Sequence, residues 1–204
     1  YMYKVGITGG IGTGKSIVCS IFSVLGIPTY DADARSKWLT EQDPQIRKEL
    51  IAIFGSEVFI GESLNRPFLA AVAFADATKT QTLNAIIHPA VAKDFASWVI
   101  TQEGAPYVVK EAALLFESGS AKELDSMIVV SAPLELRINR VMKRDPQRTE
   151  KQIRDIISRQ WSEEEKKALA DHIVVNDDLQ LVVPQVLGLH QQFLSNALSY
   201  TNFS

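Results

Sequence analysis

The sequence predicts an α/β fold built on a five-stranded, mostly parallel sheet flanked by helices. Two observations support this prediction. Short β-branched or aromatic runs alternate with helical patterns, and a glycine-rich loop directly follows the first run. Helical connections between parallel strands place helices on both faces of such a sheet. In chain order the strands are expected at residues 5–8, 28–30, 107–110, 126–130 and 172–175.

The loop after the first strand runs from Gly9 to Ser16 as Gly-Gly-Ile-Gly-Thr-Gly-Lys-Ser and fits G-x-x-x-x-G-K-[ST], the P-loop motif. Its glycines let the backbone turn sharply, so that successive N–H groups point at a phosphate. Lys15 is placed to reach the β- and γ-phosphates of a nucleotide, and the Ser16 hydroxyl is placed to hold Mg²⁺. We therefore expect a nucleotide-binding site at this loop.

A helix is predicted to follow the P-loop, because apolar residues recur there at helical spacing, and Gly26 stands where the helix is expected to end. These apolar residues are Ile17, Val18, Ile21, Phe22 and Leu25. The single cysteine, Cys19, lies on this helix and is predicted to be a small core residue rather than a catalytic thiol. No Cys, His and Asp cluster has the spacing of zinc ligands.

Residues 34–104 carry no strand signal and are predicted to form several helices. One of these helices has Asp43 as its N-cap, Pro44 in its first turn and Gly55 after its end. Its apolar face is predicted to comprise Ile46, Leu50, Ile53 and Phe54.

A second helix of this segment is expected over residues 67–75. A third begins near Lys79, is predicted to be interrupted at Pro89, and resumes up to Gly104. A helical insertion after the second strand is a natural place to bind a second substrate.

Positive charge is concentrated late in the chain, where ten of the 21 Lys and Arg residues fall between Arg137 and Lys167. A helix opens this segment, and Arg137, Arg140 and Arg144 are predicted to share one of its faces. Its apolar face is predicted to comprise Leu134, Ile138, Val141 and Met142.

An Asp-Pro pair at residues 145–146 is expected to break this helix. Two capping boxes then predict further helix starts, at Thr149 with Gln152 and at Ser162 with Glu165. Helices joined at a proline break and carrying arginines on one side suggest a hinged lid that excludes water above phosphates. A solvated helical face is the alternative.

Composition limits the classes of protein that fit. With 204 residues, 46% hydrophobic content and a net charge of −3, a soluble globular protein that does not coat nucleic acid is expected. The longest apolar run, residues 68–75, is far too short to span a bilayer, and no leader pattern precedes the first strand. We therefore expect a cytoplasmic protein without membrane or nucleic-acid partners.

The last helix, expected over residues 179–198, bears on the oligomeric state. Its apolar positions fit core packing, with one exposed stripe as the alternative for a subunit contact, so a monomer or weak homo-oligomer is expected. These positions are Leu181, Val182, Val186, Leu189 and Phe193.

Acidic residues after two of the strands are candidates for the chemistry. The sequence contains neither Asn-Lys-x-Asp nor Asp-x-x-Gly, which argues against a GTP switch. A kinase acting on a hydroxyl needs a group that accepts or orients the hydroxyl proton, and Asp31 and Asp33 follow the second strand. Either aspartate alternatively caps the next helix. Glu111, past the third strand, is a candidate for Mg²⁺ waters or the acceptor, or is a solvated carboxylate.

The chain resembles the dephospho-CoA kinase family in motifs that follow one another in the same order over about 170 residues. Thr-Gly-Gly-Ile-Gly-Thr-Gly-Lys-Ser at residues 8–16 is close to the family's P-loop, and Asp-Ala-Asp at 31–33 matches its second motif. The remaining matches are Leu-Asn-Ala-Ile-Ile-His-Pro at 83–89, Leu-Leu-Phe-Glu-Ser-Gly at 114–119, Arg140-x-x-x-Arg144-Asp145, Arg159-Gln160, and Ala170-Asp171 followed by Asn176.

This resemblance implies a P-loop kinase that phosphorylates the ribose 3′-hydroxyl of dephospho-CoA with ATP and Mg²⁺, giving coenzyme A and ADP. By the family's pattern Asp33 is the base or hydroxyl orienter, while Lys15 and Arg140 stabilise the transferring phosphoryl group. Arg66 and His88 lie in the inserted helices that would cradle the CoA moiety, with a structural histidine as the alternative for His88. The implied nucleotide-binding set is Gly12, Thr13, Gly14, Lys15, Ser16 (also the metal ligand), Ile17, Arg144 as second lid cation, and Asn176.

The resemblance and the helix pattern together divide the chain into three regions. Residues 1–33, 105–136 and 168–204 are expected to form the P-loop core, 34–104 a mainly helical CoA-binding insertion, and 137–167 an arginine-rich lid.

Four residues depart from the family pattern. Ile17 replaces a threonine that could touch the α-phosphate, and Asn65 replaces an aspartate. Glu111 and Ala113 replace an aspartate and a proline before the Leu-Leu-Phe-Glu segment. Two alternatives stay open: another small-molecule or nucleotide kinase of the same architecture, and a non-catalytic nucleotide-sensing module. The acidic residue at Asp33 and the lid arginines argue against the second.

Overall fold

The computed structural model describes residues 1–73 and 75–201. In chain order its elements are β1 (Tyr3–Thr8), α1 (Lys15–Val24), β2 (Thr29–Asp31), α2 (Ala32–Gln42), α3 (Pro44–Phe54), β3 (Phe59–Ile60), β4 (Ser63–Leu64), α4 (Arg66–Ala73), α5 (Ala77–Ile100), β5 (Tyr107–Glu111), β6 (Ser126–Ser131), α6 (Leu134–Arg144), α7 (Glu150–Ser158), α8 (Glu163–Ala168), β7 (His172–Val175) and α9 (Val182–Thr201).

Two compact units divide the chain. Unit 1 comprises Tyr1–Asp31 together with the residues from Thr101 onward, and unit 2 comprises Ala32–Ile100. Residues 137–167 fall within unit 1, and the boundary after β2 lies between Asp31 and the first residue of α2.

Unit 1 contains a five-stranded sheet in the order β2-β5-β1-β6-β7, and every pairing of its neighbours is parallel. Val5 of β1 pairs with Val109 on one side and with Ser126 on the other. All five predicted strands are confirmed, with ends that differ by at most two residues. They were predictable because strands buried on both faces are nearly continuous apolar runs.

Aromatic rings form the centre of the core of unit 1. Phe22 of α1 lies 6.3 Å from Tyr107 and 6.3 Å from Phe193 of α9, measured between ring centroids. The buried Tyr107 hydroxyl is 2.6 Å from Nδ1 of His190, which satisfies a polar group that would otherwise be costly to bury. This packing fixes α1 and α9 against the sheet and so fixes the start of α1, where the P-loop ends.

Several predicted apolar faces are only partly buried. Ile17 is 53% exposed on α1, whereas Val18 and Phe22 are buried. On α6 the buried apolar residues are Ile138 and Val141. Leu134 and Met142 of α6 and Leu181 before α9 are exposed, contrary to the prediction. Helical spacing alone marks a broad stripe, while contact with the sheet covers only its centre.

The segment of residues 137–167, which was predicted to form a lid, has the predicted breaks and caps. Helix α6 ends at Arg144 and its C-cap is Asp145, next to the expected proline break. Thr149 caps α7 and Ser162 caps α8, each with a complete capping box. Capping boxes are local in sequence, which is why they could be predicted without knowledge of the fold.

Unit 2 contains α2, α3, α4 and α5 around its own apolar cluster. Helix α3 confirms the predicted bounds, because Asp43 Oδ1 accepts from the Gln45 N–H at 2.8 Å and Gly55 follows its end. Ile53 was predicted on the apolar face but is exposed. The buried cluster comprises Leu39, Ile46, Leu50, Phe54, Val58, Phe59, Leu69, Ala73 and Leu83.

Two features of unit 2 correct the predictions. Strands β3 and β4 form an antiparallel hairpin within a segment that was expected to be mainly helical and in which no strand was predicted. Helix α5 continues through Pro89 rather than stopping there. Proline removes one backbone donor, while Leu83 and Phe95 on either side are buried and keep the helix packed. The helix expected over residues 67–75 is described as far as Ala73, and its residue 74 lies outside the described residues.

None of the helices in the described ranges is both long and apolar enough to cross a membrane.

Candidate active site

The P-loop connects β1 to α1 through backbone conformations that require glycine. Gly12 has φ +81°, in the left-handed region, and a Cβ there would lie 2.5 Å from the carbonyl oxygen of Arg137. Gly14, with φ +94°, is the N-cap of α1 and supplies no side-chain cap. Thr13 Oγ1 donates to the Gly10 carbonyl at 2.9 Å and closes the turn. The loop therefore presents backbone at the positive end of a helix, where anions bind.

A cavity of about 430 Å³ lies over this loop, and we call it the P-loop cavity. It brings together most of the residues that the sequence predicted for nucleotide binding. The lining residues are Gly12, Gly14, Lys15, Ser16, Ile17, Glu111, Arg140, Val141 and Arg144. Three cationic side chains from two separate segments thus reach one cavity, and the exposed side of Ile17 forms part of its wall.

Two contacts hold the side chain of Lys15, which lines the P-loop cavity. Its Nζ donates to the Gly9 carbonyl at 3.0 Å and lies 3.8 Å from Oε1 of Glu111. Both side chains are about one-seventh exposed, so water screens their attraction only partly. Glu111 ends β5 and is in register with Asp31 at the end of β2. Two carboxylates therefore lie at the same edge of the sheet as Lys15.

Arg140 of α6 is held by the segment that follows β7. Its guanidinium donates to the Asn176 carbonyl at 3.0 Å, to Asn176 Oδ1 at 3.3 Å and to Asp178 Oδ1 at 2.5 Å. Asn176 in turn donates from Nδ2 to the Thr13 carbonyl at 2.8 Å. Thr13 and Asn176 are buried and are not among the lining residues of the P-loop cavity, so they support the site from behind.

Arg144 is more exposed than Arg140 and is paired with the residue that ends its helix. Its Nη2 donates to Asp145 Oδ2 at 2.9 Å, and this hydrogen bond raises the pKa of Arg144 above its ordinary value. Arg148 approaches the same carboxylate oxygen at 3.4 Å. A phosphate entering the P-loop cavity would therefore compete with Asp145 for the guanidinium of Arg144.

Ser16 is the residue that the P-loop motif predicts as a ligand of Mg²⁺. It lies in the first turn of α1 and lines the P-loop cavity, as does the carboxylate of Glu111. Mg²⁺ takes hard oxygen ligands, keeps several of its waters and often uses only one or two protein groups besides phosphate oxygens. The hydroxyl and carboxylate in the P-loop cavity fit that requirement.

The predicted acceptor-side residues lie in unit 2, on three different helices. Asp33 is exposed in the first turn of α2. Arg66 begins α4 and its Nη2 donates to Glu41 Oε1 at 2.7 Å. His88 is exposed on α5, where partial desolvation lowers its pKa below the ordinary value.

A bidentate ion pair fixes the helix that carries Asp33. Arg35 donates to both carboxylate oxygens of Asp94, at 2.8 and 2.6 Å, and so connects α2 to α5. The Arg35 guanidinium also lies 4.4 Å from the ring centroid of Trp38, within the range of a cation–π contact. The start of α2 is therefore anchored two residues from Asp33.

Arg137 is a site residue whose position was predicted wrongly. It was expected to share a face with Arg140 and Arg144, but it is 6% exposed and donates from Nε to the Ile11 carbonyl at 3.0 Å. Burial lowers its pKa from the ordinary value, and Glu163 opposes that shift. Arg137 lies four residues before the buried Val141, so helical spacing contained a signal that it faces inward.

Arg137 Nη1 lies 3.5 Å from Glu163 Oε2, and a second buried ion pair, also missed, involves Lys166. Lys166 of α8 is 1% exposed, and its Nζ lies 2.8 Å from Glu117 Oε1 while donating to the Ala113 carbonyl at 3.0 Å. Glu117 Oε1 also accepts from the Trp161 N–H at 3.1 Å. Lys166 belongs to a run of five charged residues, 163–167, which normally predicts a solvated surface.

Cys19 is buried on α1 behind the P-loop, as predicted. Burial above all, and the negative charge of Glu111 next, raise the pKa of its thiol to about 12. The thiolate is the reactive form of cysteine, so a thiol with this pKa is not a nucleophile near neutral pH.

Comparison with known proteins shows similarity over nearly the whole chain. A family model described as dephospho-CoA kinase matches residues 3–181. The dephospho-CoA kinase of Bacteroides fragilis strain YCH46 is 44% identical over 186 residues, which cover 91% of this chain and 90% of that protein. The dephospho-CoA kinase of Porphyromonas gingivalis is 41% identical over 188 residues, covering 92% and 93%.

A solved structure agrees with these sequence matches. The crystal structure of TT1252 from Thermus thermophilus has 31% sequence identity and a TM-score of 0.83, covering 94% of this chain and 97% of that chain. The α/β sheet and the arrangement of its helices are therefore common to both proteins.

Proposed function

The chain belongs to the dephospho-CoA kinase family, and from this premise we propose which of its residues carry out the phosphoryl transfer. The family catalyses the last step of coenzyme A biosynthesis, so the chain is a transferase that phosphorylates the ribose 3′-hydroxyl of dephospho-CoA with ATP. The acceptor oxygen forms a bond to the γ-phosphorus, the bond from that phosphorus to the β–γ bridging oxygen breaks, and ADP leaves.

One observation supports the donor side: Lys15, Arg140 and Arg144 all line the P-loop cavity. The P-loop backbone binds the phosphates of ATP, and Lys15 exchanges its bond to the Gly9 carbonyl for the β- and γ-phosphate oxygens. Arg140 compensates charge on the γ-phosphoryl oxygens, where it spreads during transfer. Arg144 adds a second cation from the same helix. Gly12, Thr13, Gly14, Ser16, Ile17 and Asn176 complete the nucleotide-binding set.

Mg²⁺ fits the same cavity, with the Ser16 hydroxyl as its protein ligand and Glu111 holding coordinated water. When bound, the ion neutralises charge shared between the β- and γ-phosphates. Glu111 also limits the freedom of Lys15, since the two side chains are 3.8 Å apart.

On the acceptor side, Asp33 accepts or orients the proton of the 3′-hydroxyl. The observation behind this role is that Asp33 is exposed in the first turn of a helix held by the Arg35–Asp94 pair. Preorganisation of such a carboxylate lowers the cost of aligning it with a hydroxyl. Residues 34–104, including Arg66 and His88, bind dephospho-CoA, and residues 137–167 form the lid.

Location and assembly belong to the same proposal. We propose that the protein acts in the cytoplasm on small-molecule substrates, without a nucleic-acid or membrane partner. It functions as a monomer or weak homo-oligomer.

ADP release from ATP and Mg²⁺ tests the proposed function, with dephospho-CoA compared against adenosine, AMP and shikimate as acceptors. We expect rapid turnover only with dephospho-CoA. Activity restricted to another acceptor would assign the P-loop cavity to a different kinase. ATP binding without turnover on any acceptor would favour a nucleotide-sensing module.

A further inference from the structure

Ile11 lies in the turn of the P-loop, and we call this residue the crest of the loop. Both of its backbone groups form hydrogen bonds. Its carbonyl accepts from Arg137 Nε at 3.0 Å, and its N–H donates to Gln160 Oε1 at 3.1 Å. Its side chain packs against the cluster formed by Ile138, Val141 and Ile153. Every one of these contacts comes from residues 137–160, within the segment proposed as the lid.

Arg137 is built into this position rather than resting on the surface. It is 6% exposed, and its Nη1 lies 3.5 Å from Glu163 Oε2. The other oxygen of Glu163 accepts from the Ser131 hydroxyl and pairs with Lys167 at 2.7 Å. A buried guanidinium needs both a compensating charge and acceptors for its N–H groups, and Glu163 and the Ile11 carbonyl provide them.

The close fit extends to the loop glycine beside Ile11. A side chain at Gly12 would meet the backbone of Arg137, as described above, so loop and helix are in direct backbone contact. The phosphate-binding amides lie directly after this contact, in residues 12–16. A displacement of the crest would therefore change the directions of the N–H groups that receive the phosphates.

Helix α6 thus carries two arginines with separate surroundings. Arg140 lines the P-loop cavity, whereas Arg137, one turn earlier, is buried and donates a hydrogen bond to the backbone of the loop. We propose that Arg137 is a positioning residue which, together with Gln160, holds the crest of the P-loop at Ile11 in the shape that binds ATP phosphates. This inference rests on the proposed function, because it assigns the P-loop cavity to ATP.

The test compares Arg137→Met with wild type by two readouts: kinetics with ATP and dephospho-CoA, and the Kd of a non-hydrolysable ATP analogue. Loss of a charge-assisted hydrogen bond corresponds to about a tenfold change, so kcat/KM for ATP should fall about tenfold or more. The analogue Kd should rise by a similar factor. KM for dephospho-CoA should stay within about twofold, since Ile11 and Arg137 are both on the nucleotide side.

Three further variants separate positioning from simple stability. Gln160→Ala removes the other bond to Ile11 without uncovering a buried charge, and should raise the analogue Kd about threefold or more. Glu163→Gln removes the ion pair but leaves the Arg137 bond to Ile11, and should cost much less than Arg137→Met. Lys122→Ala is the control, because Lys122 is exposed and lies outside both residues 137–167 and the P-loop cavity, and this variant should keep the wild-type analogue Kd.

If Arg137→Met folds and binds the analogue as tightly as wild type, the inference is overturned. If Arg137→Met does not fold, wild-type analogue binding by Gln160→Ala overturns it instead. Equal losses in Arg137→Met and Glu163→Gln would also overturn it, because the effect would then belong to the buried charge. Wild-type protein that binds the analogue but does not phosphorylate dephospho-CoA contradicts the proposed function alone, and analogue binding then still decides the role of Arg137.

Discussion

The side-chain amide of Asn176 donates to the carbonyl oxygen of Thr13 at 2.8 Å and connects the segment after β7 directly to the P-loop. The same asparagine accepts two hydrogen bonds from Arg140. An arginine that lines the P-loop cavity is therefore positioned by the residue that also supports the loop. This connection couples the placement of Arg140 to the backbone of the P-loop.

Arg140→Ala should lower kcat more than it weakens ATP binding. Charge on the γ-phosphoryl oxygens develops during transfer, so a cation aimed there acts mainly on the transition state. We expect kcat to fall by about two orders of magnitude and KM for ATP to change by a few-fold at most. Steady-state kinetics with varied ATP check this, and an effect confined to KM would instead assign Arg140 to ground-state binding.

Lys15→Ala should reduce turnover by about two orders of magnitude or more, because it removes the cation that reaches the β- and γ-phosphates. The replacement leaves Glu111 without its ammonium neighbour at 3.8 Å, which makes phosphate entry less favourable still. ADP release at saturating substrates measures the loss. Lys122→Ala, at an exposed position outside the P-loop cavity, is the matched control and should retain wild-type turnover.

Asp33→Asn should depress kcat by about two orders of magnitude while keeping the shape of the side chain, because an amide cannot accept the hydroxyl proton. Asp31→Asn is the informative comparison, since Asp31 ends β2 two residues earlier and is expected to cause a clearly smaller loss. The kcat values of both variants with dephospho-CoA decide between them. Near-normal turnover of Asp33→Asn would remove Asp33 from the base role.

Cys19 should make the free energy of unfolding decrease in alkaline solution. Burial raises the pKa of this thiol to about 12 in the folded protein, from an ordinary value of 9.0, so the folded state retains a proton that the unfolded state releases. The stabilisation is complete below pH 9.0 and is lost as the pH rises toward about 12, by up to about 1.4 kcal/mol per pH unit. Urea unfolding of wild type and Cys19→Ala at several pH values measures the difference between them.

That difference should be constant below pH 9.0 and should change steadily above it in favour of Cys19→Ala. A constant difference across the whole range would show that the thiol ionises equally easily in both states. Alkylation provides a second check, because Cys19 should react with a thiol reagent at pH 8 only after unfolding.

Local signals made most of the fold predictable. The strands of unit 1 are short runs rich in β-branched or aromatic residues, and the caps of α3, α7 and α8 are short sequence patterns with a defined geometry. The hairpin of β3 and β4 was missed because two-residue strands are too short to show an alternating pattern. The predicted interruption at Pro89 was wrong because packing on either side outweighs one lost hydrogen bond.

The candidate site was predictable to the extent that its residues form motifs. Lys15 and Ser16 belong to a contiguous P-loop, whereas the contact from Arg137 to Ile11 joins residues 126 positions apart. Sequence spacing grouped Arg137 with Arg140 because three residues is nearly one helical turn, yet the two side chains have different surroundings. Which arginine becomes buried depends on how α6 meets the P-loop, and that is a property of the folded chain.

The fate of a labelled γ-phosphoryl group distinguishes phosphorylation of dephospho-CoA from hydrolysis of ATP. The protein is incubated with Mg²⁺, dephospho-CoA and ATP labelled with oxygen-18 in the γ-phosphoryl group, and the products are identified by mass spectrometry and phosphorus NMR. We expect coenzyme A carrying one labelled phosphoryl group on its ribose 3′-oxygen, together with unlabelled ADP. Unchanged dephospho-CoA beside labelled inorganic phosphate, or a label at another position of the acceptor, would contradict it.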